Sequence, residues 1–313
     1  MLSTPQNAPQ GAVRLIDWGV IRATGEDARK FLHGQLTQDI EHLKAGQARL
    51  AGYCSAKGRL LATFVVWPRA QDELLLACSA DVLPTVLKRL QMFVLRARCK
   101  LTDATAEIPL WGLAGDVAGQ ALGERADTPD WSQARIGDAD IVHLPAAVLD
   151  STTVPRWLWA GTSVPALPAL DAAAWAALEV ASGVARIVAA TAEQFVPQMV
   201  NLELVGGVNF QKGCYPGQEI VARSQYRGTL KRRVQVVQLD ASALPGQEVF
   251  NDSDPGQPAG MVVLAGALPG HQPVALVELK LAALDSGSLH LGTPDGPLLR
   301  LGTLPYAIPA DTP

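Results

Sequence analysis

Asn209-Phe210-Gln211-Lys212-Gly213-Cys214-Tyr215-Pro216-Gly217-Gln218-Glu219-Ile220-Val221-Ala222-Arg223 sets a cysteine among glycines, a proline and a lysine, ahead of a run with helical spacing. Pro216 suits the first turn of a helix, where a missing N–H is harmless, and Gly228 stands where such a helix would end. Cys214 is therefore expected at or just outside a helix N-terminus. Unpaired N–H groups and the macrodipole there favour an anion, and Lys212 and Arg223 add positive charge, so the thiol is expected to ionise more readily than a free one. The residues leave a second reading open, in which Cys214 is a small buried apolar side chain. Gly213 and Gly217 on either side favour the first, because glycines mark unusual backbone angles or a close approach.

Composition sets the outer bounds. The chain has 313 residues, 48% hydrophobic and 18% charged, enough for a large core divided into two or three domains. A net charge of −4 gives no global basic field for nucleic acid, so no direct contact with tRNA is expected. Residues 1–11 are polar, without a basic start or an apolar centre, and are expected to form a disordered tail rather than a secretory signal. No uncharged apolar run is long enough to span a bilayer, so a cytoplasmic monomer with no membrane contact is expected. Cys54, Cys78, Cys99 and Cys214 form no C-x-x-C pair, and the five histidines are scattered, which argues against a metal held wholly by this chain.

Working outward from the cysteine, the pattern alternates hairpins and helices before it and short strands after it. Val13–Ile16 and Gly19–Ala23 read as strands, and Thr24 with Asp27 as the cap of a helix carrying Phe31 and Leu32. Gln47–Ser55 and Arg59–Trp67 flank Ala56-Lys57-Gly58, a hairpin turn. Leu74–Cys78 gives a strand, Ser79 caps a helix through Leu90, and Val94–Leu101 returns as a strand. Beyond residue 106 come an apolar run at Ile108–Leu113, a helix near Gly115–Leu122 and strands near Ile141 and Trp157. The glycines of 112–119 match neither a P-loop nor G-x-G-x-x-G. Asp171 begins a helix with Trp175, Leu178 and Ser182 on one face, and Gly183 ends it. After Lys231, short β-runs between Pro-Gly turns predict a small barrel. The fold class is α+β.

The stretch Lys212-Gly213-Cys214-Tyr215-Pro216-Gly217-Gln218-Glu219 resembles the K-G-C-[FY]-x-G-Q-E signature of the YgfZ family, folate-binding relatives of the glycine-cleavage T-protein, an aminomethyltransferase. Gly34-Gln35-Leu36-Thr37-Gln38-Asp39, Phe195-Val196-Pro197-Gln198, Asn201-Leu202, Gly206-Gly207 and Tyr226-Arg227-Gly228 resemble it too. The resemblance implies ferredoxin-like αβ modules plus a C-terminal β-barrel around a central folate pocket. It divides the chain into the tail at 1–11, a first αβ folate-binding module at 12–105, a second αβ region at 106–229 carrying the motif, and the barrel at 230–313. It implies tetrahydrofolate or a derivative as cofactor, held by Trp18 and Trp175, whose flat apolar faces suit a pterin or aminobenzoyl ring. Cys214 and Lys212 are the implied reactive pair, supported by Gly213, Tyr215, Gly217, Gln218, Glu219 and Arg223.

Two departures bear on activity. T-protein relatives place a carboxylate after the second hairpin's glycine, where this chain has Lys57-Gly58-Arg59-Leu60-Leu61-Ala62-Thr63, with no acid at Leu61 or Ala62. The family's E-x-G triplet reads Ala181-Ser182-Gly183, and Glu179, two residues earlier, is expected to point elsewhere. Lys57, Arg59, Arg223, Arg227, Lys231, Arg232 and Arg233 are expected on a solvated surface, the alternative being contact with a folate tail or an RNA phosphate. The resemblance implies a folate-binding protein in iron–sulfur protein maturation or repair, and thereby tRNA modification, with iron–sulfur clients or assembly proteins as partners. The alternatives are a tetrahydrofolate-dependent one-carbon transferase and a binding-only assembly factor whose cysteine is structural.

Overall fold

A computed structural model describes residues 8–149, 151–226 and 230–309. The elements run β1 (Gly11–Arg14), β2 (Trp18–Thr24), α1 (Ala28–His33), β3 (Arg49–Cys54), β4 (Leu60–Ala70), β5 (Glu73–Ser79), α2 (Leu83–Val94) and β6 (Lys100–Asp103). They continue through β7 (Leu110–Ala114), α3 (Gly115–Leu122), β8 (Gln133–Ile136), β9 (Ala139–Leu149), β10 (Thr152–Ala160), α4 (Ala172–Ala181) and α5 (Gln218–Tyr226). Last come β11 (Arg232–Leu239), β12 (Glu248–Asn251), β13 (Gly260–Gly266), β14 (Val274–Lys280), β15 (Leu289–Leu291) and β16 (Leu298–Leu301).

Three sheets result. The first, in the order β3-β4-β5-β2-β6, buries Ile21, Phe64, Leu74 and Leu76 against Leu32, Val86 and Leu90 of the two helices α1 and α2. The second has the order β1-β7-β10-β9-β8, and the last six strands close into a barrel. All their named pairings are antiparallel, as hairpin-rich sequence predicts. β1 and β2 are neighbours in sequence but not in space, since β1 pairs with β7 of the second sheet and β2 with β5 of the first. The turn between them carries Asp17. Helix α4 lies against β9 on one side and against β13 and β14 of the barrel on the other, so it is apolar nearly all round.

Three helix or strand boundaries differ from the sequence expectation, each for a local reason. Helix α1 starts at Ala28 with no side-chain cap; Asp27 instead accepts from the Arg98 N–H at 2.8 Å, which ties it to the far end of the module. Helix α2 starts after Val82 with Pro84 in its first turn, and Ser79 accepts from Arg186 at 2.7 Å. Leu95 takes a positive φ of 42° after α2, so the returning strand forms only at Lys100–Asp103. Asp171 does cap α4, accepting from the Ala173 N–H at 2.7 Å.

The cysteine stretch docks on the turn between β3 and β4. Gly217 has a φ of +78°, and a Cβ there would lie 2.4 Å from the Ser55 carbonyl oxygen and 2.6 Å from the Gly58 Cα. Gly58, at φ +69°, meets Ile220 and Gly217 in return, so two glycine backbones face each other. Gly213 differs: its nearest neighbour to a Cβ would be His33 Nε2 at 3.5 Å, ordinary contact, and its φ is not positive. Gly217→Ala is therefore expected to lower unfolding free energy by about 2–4 kcal/mol, from the left-handed backbone and the backbone clash together. Gly213→Ala should stay within about 0.5–1 kcal/mol of wild type. Urea melts of the two variants check this; equal losses would mean that the glycine contact does not hold the stretch.

Candidate functional site

Lys212 is the anchor of the stretch. Its ammonium donates to the carbonyl oxygens of His33 and Leu36, the latter at 2.9 Å, and stands 4.9 Å from the Tyr215 ring centroid. The His33 carbonyl is at the end of α1, where helical C=O groups lack partners and attract a cation, and Leu36 lies in the loop that follows. Burial pushes the Lys212 pKa down to about 8, with Asp39 and Cys214 pulling the other way. Tyr215 is buried beside Cys54, Leu60 and Val221, and burial raises its phenol above the ordinary range.

Helix α5 begins at Gln218, two residues later than the proline predicts, because the positive φ of Gly217 breaks the helical run. Cys214 thus lies four residues ahead of the first helical residue and is exposed. The other cysteines are withdrawn: burial pushes Cys54 up to about 12, Cys78 above the ordinary range and Cys99 up to about 11. Gln218 is half-buried, Glu219 and Arg223 are exposed, and Arg227 and Gly228 lie outside the described residues.

The histidines are less scattered than the sequence implies. The loop after α1 folds back so that Asp39 takes His33 Nδ1 at 3.0 Å and His42 Nδ1 at 2.9 Å. Burial opposes the Asp39 charge, but bonds from His42 and His33 outweigh it and hold the carboxyl below its usual range. His33 Nε2 is left facing Gly213, next to Cys214 in the chain. Among the described residues no three His, Cys, Asp or Glu side chains are placed to hold a metal, and no helix is long and apolar enough to cross a membrane.

Trp18 and Trp175 meet elsewhere, in the core between the first and second sheets. They line a narrow cavity of about 40 Å³, together with Thr63, Trp131, Arg156, Glu179, Ser182 and Arg186. Cys214 is not among its lining residues. Both indole Nε1 atoms are buried without a hydrogen-bond partner. One face of each ring carries a guanidinium, Arg186 at 4.9 Å from Trp18 and Arg156 at 5.4 Å from Trp175.

Glu179 corrects the expectation that it points away. It lies four residues after Trp175 and three before Ser182, the spacing of one helix face, and all three line the cavity. Ala181 borders a different cavity, with Val236 and Gln238 of β11. Both Glu179 oxygens are taken by Arg186, at 2.9 and 3.1 Å. Arg186 also donates to Asp17 and Ser79, each at 2.7 Å. Burial opposes its charge, but Glu179 and Asp17 together hold its pKa above the ordinary range. Arg232 and Arg233 are not on a solvated surface either: they pair with the buried carboxylates Glu278, at 2.7 Å, and Glu203. Leu61 and Ala62 bring no acid to the cavity, and the neighbouring Thr63 hydroxyl accepts from the Ile187 N–H at 3.1 Å.

Residues 10–153 match the family described as the GCVT N-terminal domain. Over 249 residues the chain is 32% identical to the tRNA-modifying protein YgfZ of Edwardsiella ictaluri (strain 93-146), covering 77% of this chain and 74% of that one. The chain belongs to the YgfZ family. The YgfZ of Photorhabdus laumondii subsp. laumondii is 33% identical over 249 residues, covering 76% of this chain and 73% of its own. A crystal structure of glycine cleavage system aminomethyltransferase T from Bartonella henselae superposes with a TM-score of 0.67 over 96% of this chain and 87% of that one, at 17% identity. That likeness shows a T-protein-like fold, mixed α/β with ferredoxin-like sheets and a closed barrel, as expected.

Two measurements probe the YgfZ signature in this chain. In the native state near pH 7.5, iodoacetamide is expected to label Cys214 well ahead of Cys54, Cys78 and Cys99, read by peptide mass spectrometry. Labelling of Cys214 only after unfolding would place it in the core. The second concerns Lys212, whose folded value of about 8 lies below its ordinary 10.5. Between those values the unfolded chain holds a proton that the folded chain has released, so stability rises with pH. Relative to Lys212→Met, the wild type should therefore gain stability as pH climbs from 8 towards 9.5, measured by denaturant midpoints. A difference that stays flat would mean that the ammonium is not desolvated.

Proposed function

We propose that this chain is a folate-binding protein that acts in the maturation or repair of iron–sulfur proteins, and through them in tRNA modification, with Cys214 as its reactive group. The observation that carries the reading is the cavity walled by Trp18 and Trp175. Its residues fit a flat, hydrogen-bonding ring: two buried indole N–H groups lack acceptors, the walls are mostly aromatic and aliphatic, and guanidinium planes add further stacking surface. Reduced folate, when bound, carries one-carbon units on its ring nitrogens. Trp18 and Trp175 would orient the ring, and the unused donors of Arg156 would meet acceptors at its edge. The tRNA-modifying label of the relatives and the exposed thiol support the second half of the reading.

One observation bears against the one-carbon transferase. Glu179 is the single carboxylate among the described residues lining the cavity, and Arg186 occupies both its oxygens. A general base must be aimed at the reacting nitrogen, and Glu179 is aimed at Arg186 instead. Binding without turnover is the reading these residues favour.

Tetrahydrofolate is expected to quench tryptophan fluorescence, and Trp18→Phe or Trp175→Phe to weaken its binding by about 1 to 3 kcal/mol while keeping an aromatic ring in the core. Unchanged affinity in both variants would remove the tryptophan platform. Replacing Cys214 with Ser should abolish rescue of tRNA modification in cells lacking their own copy, scored by nucleoside mass spectrometry. Full rescue would instead make Cys214 structural and the protein a binding-only factor.

A further inference from the structure

Arg156 stands out among the cavity's side chains. It is 3% exposed, yet among the described residues it forms no ion pair. Its Nε and Nη2 both donate to one acceptor, the Pro145 carbonyl oxygen, at 3.2 and 2.9 Å, and its remaining contact is the Trp175 face. The charged residues lining the cavity are Arg156, Arg186 and Glu179. Both Glu179 oxygens are taken by Arg186, which also pairs with Asp17, so no carboxylate is bonded to Arg156.

A buried charge without a counter-charge is strongly unfavourable, and an apolar side chain of similar volume at the same place is commonly neutral or stabilising. A single carbonyl and a ring face do not neutralise a guanidinium. Burial pushes Arg156 down to about 10, against the pull of Glu179 and Asp130, so it stays charged at neutral pH. The backbone singles out the position as well: the pairing of β9 with β10 shifts register between Val154 and Arg156, a bulge of the kind that re-aims a side chain.

We propose that Arg156 is the anion-binding group of this cavity, and that the natural ligand carries a carboxylate that completes an ion pair with it while a flat ring lies against the tryptophans. The inference rests on the folate reading for the ligand's identity: in a folate the carboxylates are those of the glutamate tail. A planar guanidinium fork, with part of its donor set unused, matches a carboxylate in shape and charge.

The test separates the tail from the ring. Calorimetric titrations of wild type, Arg156→Met and Arg156→Lys would use tetrahydrofolate, p-aminobenzoylglutamate and a tetrahydropterin without the tail. Arg156→Met is expected to weaken the first two by about 10- to 150-fold, the range of a charge-assisted hydrogen bond, and to leave the tetrahydropterin unchanged. Arg156→Lys, which keeps the charge without the fork, should fall between. The ligand-free Arg156→Met chain should melt at or above the wild-type temperature, because a charge held for a ligand is a burden without one. Equal losses for all three probes, no loss for the first two, or a melting point several degrees lower would overturn the inference. If wild type bound tetrahydrofolate and Arg156→Met bound it equally well, the folate reading would stand and the assignment of Arg156 would fall. If wild type bound none of the probes, the folate reading would fall, and the melting comparison alone would decide whether Arg156 awaits another anion or is structural.

Discussion

The contact on which the rest of the site depends is the four-way junction at Arg186. One guanidinium joins Asp17 in the turn after β1, Ser79 at the end of β5 and Glu179 on α4, and lies across the Trp18 ring. These partners belong to the first sheet, to the crossing between sheets and to the helix that touches the barrel. A charge so deeply buried is tolerable only when its donors are met, and here the geometry meets Nε, Nη1 and Nη2. Losing one partner strands the others, which is why a junction of this kind fixes the mutual placement of its elements rather than merely adding stability.

A second constraint acts at the other end of the first sheet. Gly58 and Gly217 touch backbone to backbone, and Leu60 exchanges hydrogen bonds with the 193–195 segment, its N–H donating to the Phe195 carbonyl and its carbonyl accepting from Glu193. Lys212 closes the arrangement onto the end of α1. The cysteine is therefore held on a rigid frame while remaining exposed. The cavity and the cysteine stretch meet through one core layer: Leu50 and Ala185 line the cavity and belong to the cluster containing Tyr215, and Val184, also lining the cavity, packs against it. Coupling between ligand and thiol would have to pass through that packed layer.

Much of this was legible in the residues, and the exceptions follow one rule. The hairpin at Gly58, the cap at Asp171 and the barrel's short strands are local signals, written in neighbouring residues. What the residues hid are pairings across long separations. Arg232 and Arg233 look like a basic surface run until Glu278 and Glu203, 46 and 30 positions away, turn them inward. Asp17 gives no sign that it will meet Arg186, 169 positions later. Glu179 is the instructive exception: its spacing of two from Ala181 turns it from that residue, while its spacing of four from Trp175 sets it on the tryptophan's face.

The same comparison bears on what the cavity can do. Where the T-protein resemblance calls for acids, this chain has Leu61, Ala62 and Ala181, none of which can move a proton. The remaining acid is locked to an arginine, and the remaining arginine lacks an acid. Among the described residues lining the pocket there is no carboxylate outside the Arg186 pair, and the Arg156 charge has no bonded acid. Those two features act in one direction: they disfavour proton abstraction and favour an electrostatic hold on an anion in a low-dielectric setting. A pocket built in this way is better suited to holding an anion than to taking a proton from it, and the exposed Cys214 thiol lies outside it.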